Sequence, residues 1–300
     1  MNKKNKSDDE KNNKNEMENK VIVVTGGSQG IGMCMATEFA KLKAKVIISS
    51  RTKEDLDETA KKIRAAGGFC EPIAMDVSDY SQVKKIFDFI IKKYTKIDVL
   101  INCAGIYGPL GPLETNDIEK WAKTVQINLI GTVNCIQCVV PVMKKQGYGK
   151  IINIAGGGVG GAIKPNMSAY VTSKAAIVGF TEALATELKE FNIQINAISP
   201  GPVNTRLLDQ VLQAGEIVGK DFLEKAKQQK EQGGTPPEKA AELAIFLASS
   251  KSDFVTGKML SAVWDKYYEF DKIKDKLAQT ALYNLRRIDD NMFVEVKKKK

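Results

Sequence analysis

The chain has 300 residues, with 45 Lys plus Arg against 36 Asp plus Glu, five Cys and no His. Without His, no Ser-His-Asp triad, Cys-His pair or His-ligated zinc site can form, so acid/base chemistry must use Tyr, Lys, Asp, Glu or Cys. The net charge of +9 is spread along the chain and does not form one stripe, which argues against a nucleic-acid partner.

The two ends of the chain differ in composition from its middle. Residues 1–19 are rich in Lys, Asn and Glu and are predicted to be a disordered tail, and 264–300 are predicted to be a C-terminal extension with a basic end. Residues 20–263 are predicted to form a single domain. Because no apolar leader or long hydrophobic stretch is evident, we expect a cytoplasmic protein with reduced cysteines and no membrane partner. The Cys135/Cys138 pair has no second pair beside it, and no metal site is predicted.

Apolar runs alternate with amphipathic stretches through the middle of the chain. Strands are predicted at 21–25, 45–50, 69–75, 99–102, 151–155, 193–199 and 258–263, and helices at 54–66, 80–94, 118–145, 168–191 and 238–248. The strands are almost continuously apolar, which is typical of a parallel sheet covered by helices on both faces. The sequence therefore predicts an α/β fold with a doubly wound parallel sheet of about seven strands and ligand sites at their carboxyl ends.

A glycine-rich loop follows the first predicted strand and opens a helix. It reads TGGSQGIG from Thr25 to Gly32. Gly26 permits a tight turn, Gly30 lets the backbone approach a pyrophosphate, and Gly32 lets the helix pack closely on the strand. The helix N-terminus offers N–H groups to the phosphates. The loop predicts a dinucleotide site formed by Gly26, Ser28, Gln29, Gly30, Ile31 and Gly32.

The end of the second strand bears on the choice of cofactor. Ser50 stands where a cofactor with a free ribose 2′-hydroxyl usually meets an acid, and Arg51 follows it. Because a guanidinium pairs with a phosphate and an acid would repel it, NADP(H) is favoured over NAD(H).

Tyr170 and Lys174 are four residues apart on a predicted helix and therefore share one face. A nearby ammonium favours the phenolate and lowers the pKa of a tyrosine toward neutral pH. The pair predicts a tyrosine acid/base assisted by a lysine, which can also reach the ribose of the cofactor.

Taken in order, these motifs resemble the short-chain dehydrogenase/reductase superfamily, which has a Rossmann fold, over roughly residues 20–263. The resemblance assigns Tyr170, Lys174 and Asn128 to catalysis, with Asn128 holding a water of the proton relay. It adds to the predicted cofactor site Asp76 and Val77 as an adenine contact, Asn102, Ala104 and Gly105 after the fourth strand, and Pro200, Gly201 and Thr205 over the nicotinamide. Homodimers or homotetramers are also implied.

Two departures from the family pattern stand out. The family places a catalytic Ser at the end of the fifth strand, where this chain reads Ala155-Gly156-Gly157-Gly158. Backbone N–H groups could replace that hydroxyl, and the missing side chains would leave room for a bulky substrate. The second departure is the extension, in which 277–287 would fold over the active site or onto a neighbouring subunit.

The sequence as a whole predicts an NADP(H)-dependent oxidoreductase. It would interconvert a secondary alcohol and a ketone, with Tyr170 as the acid/base and residues 206–235 as a substrate lid. Two alternatives remain: an enzyme for sugar nucleotides or other bulky substrates that uses the glycine gap, and a nucleotide-binding protein with little or no reductase activity.

Overall fold

Seven parallel strands form one sheet in the computed structural model, which describes residues 13, 15–161 and 164–287. The strands are β1 (Val21–Thr25), β2 (Lys45–Ser50), β3 (Phe69–Ala74), β4 (Val99–Asn102), β5 (Gly149–Ile154), β6 (Ile193–Ser199) and β7 (Met259–Ser261). Their spatial order is β3-β2-β1-β4-β5-β6-β7. The direction of winding reverses between β1 and β4, and ligands of such sheets bind in the crevice at that switch point. The predicted α/β fold is confirmed.

Helices pack on both faces of this sheet. They are α1 (Gly30–Lys41), α2 (Lys53–Ala65), α3 (Tyr80–Tyr94), α4 (Ile118–Val125), α5 (Gly131–Gln146), α6 (Ser168–Leu188), α7 (Arg206–Ala214), α8 (Lys220–Gln232), α9 (Glu238–Ala248) and α10 (Lys274–Gln279). A π-helical turn, Gln126–Ile130, joins α4 to α5.

The core lies in two layers, one on each side of the sheet. Successive side chains of a strand point to opposite faces, so Ile22 and Val24 of β1 pack in one layer and Val21 and Val23 in the other. All four are buried. This two-sided burial explains why the strands are continuously apolar in sequence.

One stretch, Ile118–Gln146, is long and apolar enough to cross a membrane by length and composition alone. Here it is α4, the π-helical turn and α5, and its side chains Ile127, Cys135 and Val139 are buried in the core beside the sheet. Burial of this kind is typical of a core helix.

The ordered chain begins before the predicted start at residue 20. Met17 is fully buried in the same core layer as Ile22, and the Asn19 N–H donates to Lys43 O at 3.0 Å. The tail predicted at residues 1–19 thus extends too far toward its C-terminal end. The reason is that Met17, an apolar residue in a polar segment, packs into the core. Residues 1–12 and 14, the rest of that prediction, lie outside the described residues.

The C-terminal extension packs on its own subunit as far as it is described. Tyr283 O accepts from Met259 N of β7 at 2.9 Å, Phe270 is buried, and Arg286 pairs with Glu182 of α6. Segment 277–287 therefore covers β7, which would otherwise be an open sheet edge. Neither predicted position, over the active site or on a neighbouring subunit, describes this packing. Residues 288–300, with the predicted basic end, lie outside the described residues.

Candidate cofactor and catalytic site

A cleft of about 760 Å³ opens where the strands end around the switch point. Most of the predicted cofactor residues line it together. They are Gly26, Ser28, Gln29, Gly30, Ile31, Gly32, Arg51, Asp76, Val77, Ala104, Gly105, Tyr170, Lys174, Pro200 and Thr205. Three predicted residues are not among its lining: Asn102, Asn128 and Gly201. The sheet thus brings loops that are far apart in sequence together around one cleft.

The glycine loop has the shape that a pyrophosphate requires. Gly26 has a φ of +66°, and a side chain on it would lie 2.8 Å from Ala104. A Cβ on Gly32 would collide with the Gly26 carbonyl oxygen. Gln29, the N-cap of α1, makes no side-chain hydrogen bond to the helix, so the first N–H groups of α1 are not capped by it. The loop fits a dinucleotide because backbone and helix end can approach phosphates closely.

Asp76, which the sequence predicts to contact the adenine, is held in place in the cleft. Its carboxylate accepts from Ser78 N at 2.9 Å and from Ser78 Oγ at 2.7 Å. Partial burial opposes ionisation of Asp76, but the Ser78 hydrogen bonds and the charges of Lys123 and Arg51 bring its pKa below the usual value. Asp76 is therefore a fixed anionic acceptor, while Arg51 is exposed at the cleft edge.

Asn102 and Gly201 act behind the cleft. The Asn102 amide is buried and donates to Asn153 Oδ1 at 2.9 Å, which links β4 to β5. Gly201 has a φ of +85°, and a Cβ there would meet Val263 and Thr235. Both residues shape the walls of the site rather than its surface.

Asn128 lies in the π-helical turn and is fully buried. Its Oδ1 accepts from Ile106 N at 2.8 Å, and its Nδ2 donates to Ile106 O and to Ser173 Oγ, both at 2.9 Å. Both amide hydrogens are therefore used within the protein. The Asn128 side chain ties the loop after β4 to Ser173 of α6, the residue directly before Lys174, and in this structure it is a positioning group. Its relay-water role stays a prediction.

Tyr170 and Lys174 lie on the cleft face of α6, and both side chains are buried. Lys174 Nζ donates to Ile154 O at 2.8 Å and lies 5.9 Å from the centre of the Tyr170 ring. Burial lowers the pKa of Lys174 to about 8, while burial, with Tyr107 and Cys103, raises that of Tyr170. In the protein without cofactor or substrate, burial therefore raises the pKa of Tyr170, whereas the sequence predicted that Lys174 would lower it.

Neighbouring side chains approach all three glycines after β5. A Cβ on Gly156 would collide with the Tyr170 hydroxyl, one on Gly157 would lie 3.0 Å from Lys164 Nζ, and one on Gly158 would lie 3.0 Å from Val171. The position of the missing side chain is thus taken at the buried Gly156, whereas Gly157 is exposed. The absence of side chains at these positions lets Tyr170 and Lys164 come close to the backbone.

Sequence reasoning missed three side chains beside the catalytic pair. The Tyr107 ring lies 4.7 Å from that of Tyr170 in an edge-to-face contact, and Lys164 Nζ lies 4.6 Å above the Phe222 ring of α8. Lys164 had a signal, because it is the one charged residue between Gly156 and Tyr170. Phe222 belongs to the substrate lid predicted at 206–235, whereas Tyr107 had no signal, since only the fold brings it there.

Sheet topology, glycine cradle and the Tyr–Lys pair define a dinucleotide-dependent oxidoreductase, and comparison with known proteins agrees. The short chain dehydrogenase family model matches residues 20–215. The chain is 33% identical over 244 residues to the 3-oxoacyl-acyl-carrier-protein reductase FabG of Thermotoga maritima, covering 81% of this chain and 96% of that protein. It is 32% identical over 253 residues to the 7alpha-hydroxysteroid dehydrogenase of Bacteroides fragilis, covering 82% and 93%.

Solved structures give the same result. NAD+-bound xylitol dehydrogenase superposes with a TM-score of 0.76 at 29% identity, covering 82% of this chain and 98% of that one. An actinorhodin polyketide ketoreductase variant with NADPH superposes with a TM-score of 0.75 at 28% identity, covering 82% and 96%. The chain belongs to the short-chain dehydrogenase/reductase family and is an NAD(P)-dependent oxidoreductase.

Proposed function

We propose that this protein uses NADP(H) to interconvert a secondary alcohol and a ketone. The observation that carries the proposal is that Tyr170 and Lys174 line the same cleft as the glycine cradle and Arg51. The names of the similar proteins, a 3-oxoacyl reductase, a hydroxysteroid dehydrogenase and a ketoreductase, support it because each refers to a ketone or an alcohol.

Each residue of the pair has a distinct role in this proposal. The bound cofactor supplies or accepts the hydride. Tyr170 gives a proton to the substrate oxygen in reduction and takes it back in oxidation. Lys174 is held by Ile154 O with hydrogens left for the ribose and carries the positive charge that favours the Tyr170 phenolate. Asn128 keeps the loop after β4 and α6 in register.

The preference for NADP(H) rests on the end of β2. Ser50 and Arg51 line the cleft, and neither is an acid that would repel a 2′-phosphate. The exposed Arg51 guanidinium is free to pair with that phosphate in a bidentate way.

A cofactor titration tests this preference. NADPH and NADH binding would be followed by nucleotide fluorescence for the wild type, Arg51→Asp and the control Arg287→Asp, an exposed arginine outside the cleft. We expect the wild type to bind NADPH about tenfold more tightly, and only Arg51→Asp to lose that preference. Equal binding of both cofactors by the wild type would contradict the assignment.

A binding protein with little reductase activity is the second candidate, favoured by the absence of a hydroxyl on residues 155–158. A screen of ketones with Tyr170→Phe separates the two. Turnover that this variant loses by on the order of 100-fold or more supports the enzyme, because the phenol is then the proton donor. Tight NADPH binding without any turnover supports the binding protein. The alternative of a sugar nucleotide or another bulky substrate remains a prediction, and adding nucleotide sugars to the same screen tests it.

We further infer a cytoplasmic homo-oligomer, either a dimer or a tetramer, acting on a small carbonyl or alcohol compound. Oligomer formation is supported by apolar side chains left exposed on α4 and the π-helical turn after it, such as Ile118 and Ile130. The cytoplasmic location is supported by five cysteines that are all free thiols.

A further inference from the structure

Lys164 occupies an unusual place beside the catalytic tyrosine. Its ammonium lies over the Phe222 ring at 4.6 Å and against the backbone of Gly157. No carboxylate or hydrogen-bond acceptor in the part of the chain that the structure describes pairs with it. Burial lowers its pKa, and no neighbouring charge offsets this effect. A partly buried cation without a partner lowers the free energy of unfolding. Folding stability therefore does not explain a lysine at this position.

The segment that carries Lys164 is anchored by its neighbours. Asn166 Nδ2 donates to Ile217 O at 3.0 Å, in the turn between α7 and α8, and Asn166 O accepts from Gly111 N at 2.9 Å. These bonds join the segment to the loop before α4 and to the turn between α7 and α8. These hydrogen bonds therefore fix the position of the backbone near Lys164, in contrast to a lysine on a free surface loop.

Two chains of contacts connect Tyr170 with Lys164. In the first, Tyr107 contacts the Tyr170 ring and packs on the apolar cluster of α7, α8 and the turn between them, which includes Leu208, Val211, Val218, Leu223 and Ala226. Phe222 packs on the same cluster, and its ring lies below the Lys164 ammonium. In the second, Gly156 lies against the Tyr170 hydroxyl and the next residue, Gly157, lies against Lys164 Nζ. Lys164 is the one charged side chain in these contacts.

The charge lies within reach of a small substrate. Gly156 meets the Tyr170 hydroxyl and Gly157 meets Lys164 Nζ, and consecutive Cα atoms are about 3.8 Å apart, so the two groups lie roughly 12 Å apart at most. A molecule whose oxygen is at Tyr170 can therefore place an anionic group at Lys164.

We propose that Lys164 is a specificity-determining residue that binds an anionic group, a carboxylate or a phosphate, on the carbonyl or alcohol substrate. This inference rests on the proposed function, because it takes the reacting oxygen to lie at Tyr170. The Phe222 ring below the ammonium and the apolar walls remove water, which strengthens the ion pair that the substrate completes.

The test compares ligands that differ in one charge. The pairs are 4-oxopentanoate with its methyl ester for a carboxylate, and dihydroxyacetone phosphate with dihydroxyacetone for a phosphate. Binding to the full chain would be measured by calorimetry with and without NADPH, so that the result does not depend on turnover. The variants are Lys164→Met, Lys164→Arg and, as a control, Lys225→Met, an exposed lysine of α8.

We expect the charged member of at least one pair to bind about tenfold or more tightly than its neutral partner. Lys164→Met should remove that preference, Lys164→Arg should keep most of it, and Lys225→Met should leave it unchanged. The pair that shows the preference identifies the anion. Absence of a preference in the wild type, or a preference that survives Lys164→Met, would overturn the inference. Failure of NADPH to bind would instead count against the proposed function.

Discussion

At the scale of single residues, the contact between Gly156 and Tyr170 determines which side chains can stand at position 156. The family places a serine hydroxyl near this position, whereas here the phenol itself lies against the backbone. A side chain on residue 156 and the present position of Tyr170 exclude each other, because their atoms would overlap.

Restoring a serine is therefore expected to harm the enzyme. In Gly156→Ser, the Tyr170 ring must move, and displacement of a catalytic group by about 1 Å costs on the order of 100-fold in rate. We expect kcat/KM on the best ketone substrate to fall at least about tenfold with little change in the unfolding temperature. Gly179→Ala is the control, because a Cβ there has no neighbour within 4 Å. Higher activity of Gly156→Ser would show that Tyr170 adapts and that the serine role is restored.

The buried Lys174 predicts a pH dependence of stability. Its pKa is lowered from 10.5 to about 8 by burial, so between these values the unfolded chain binds more protons than the folded one. The free energy of unfolding of the cofactor-free protein should therefore rise with pH in this window. Relative to Lys174→Met, which has no such proton, the wild type should gain on the order of 3 kcal/mol between pH 7 and 10.5.

Urea unfolding at a series of pH values measures this difference. Lys92→Met, an exposed lysine of α3, serves as the control and should follow the wild type. Parallel curves for the wild type and Lys174→Met would mean that Lys174 keeps an ordinary pKa in the folded protein.

At the scale of elements, the C-terminal segment completes the sheet. Lys258 Nζ donates to Asn284 Oδ1 at 2.8 Å, and Asn284 Nδ2 donates to Gly257 O at 2.7 Å, so the segment is bonded to the two residues directly before β7. Together with the Met259–Tyr283 hydrogen bond, these contacts cover a three-residue strand that is too short to be stable as an open edge.

Removal of this segment should destabilise the whole domain. A chain ending at residue 263 loses the buried side chains of Phe270 and Leu277, each worth about 1.5–3 kcal/mol. We expect a loss of at least about 3 kcal/mol in the free energy of unfolding, measured by urea titration. A chain ending at Arg287 is the control because it keeps every contact of the segment given above. Equal stability of the two truncated chains would contradict a structural role of the segment.

At the scale of the whole molecule, several helical segments leave large apolar side chains without cover. Ile118 is 70% exposed, Phe89 49% and Ile130 37%. Exposed apolar side chains of this size are candidates for burial in an interface between subunits.

We therefore expect sedimentation equilibrium to give two or four times the chain mass of 32.9 kDa. Ile130→Glu should shift the distribution toward the monomer, because a carboxylate in an apolar interface loses its hydration without a partner. A wild type that sediments as a strict monomer would refute the inferred oligomer.

Much of the fold followed from the sequence. Continuous apolar strands and amphipathic helices predict a doubly wound sheet, since only burial on both faces explains that pattern. The glycine loop and the Tyr170/Lys174 spacing are local features, and the structure brings both into one cleft. The ends of strands were less well predicted: β7 is confined to Met259–Ser261, although Lys258 O and Ala262 N on either side of it still bond to β6.

The sequence by itself determined the class of chemistry. The absence of His excludes histidine as the acid/base, and the local motifs supply Tyr170, Lys174 and a dinucleotide loop. The tertiary structure alone decided what fills the space of the missing side chains. Glycine encodes the absence of a Cβ, and only packing shows that Tyr170 and Lys164 take its place. Burial is likewise a property of the fold, and it lowers the pKa of both Lys174 and Lys164.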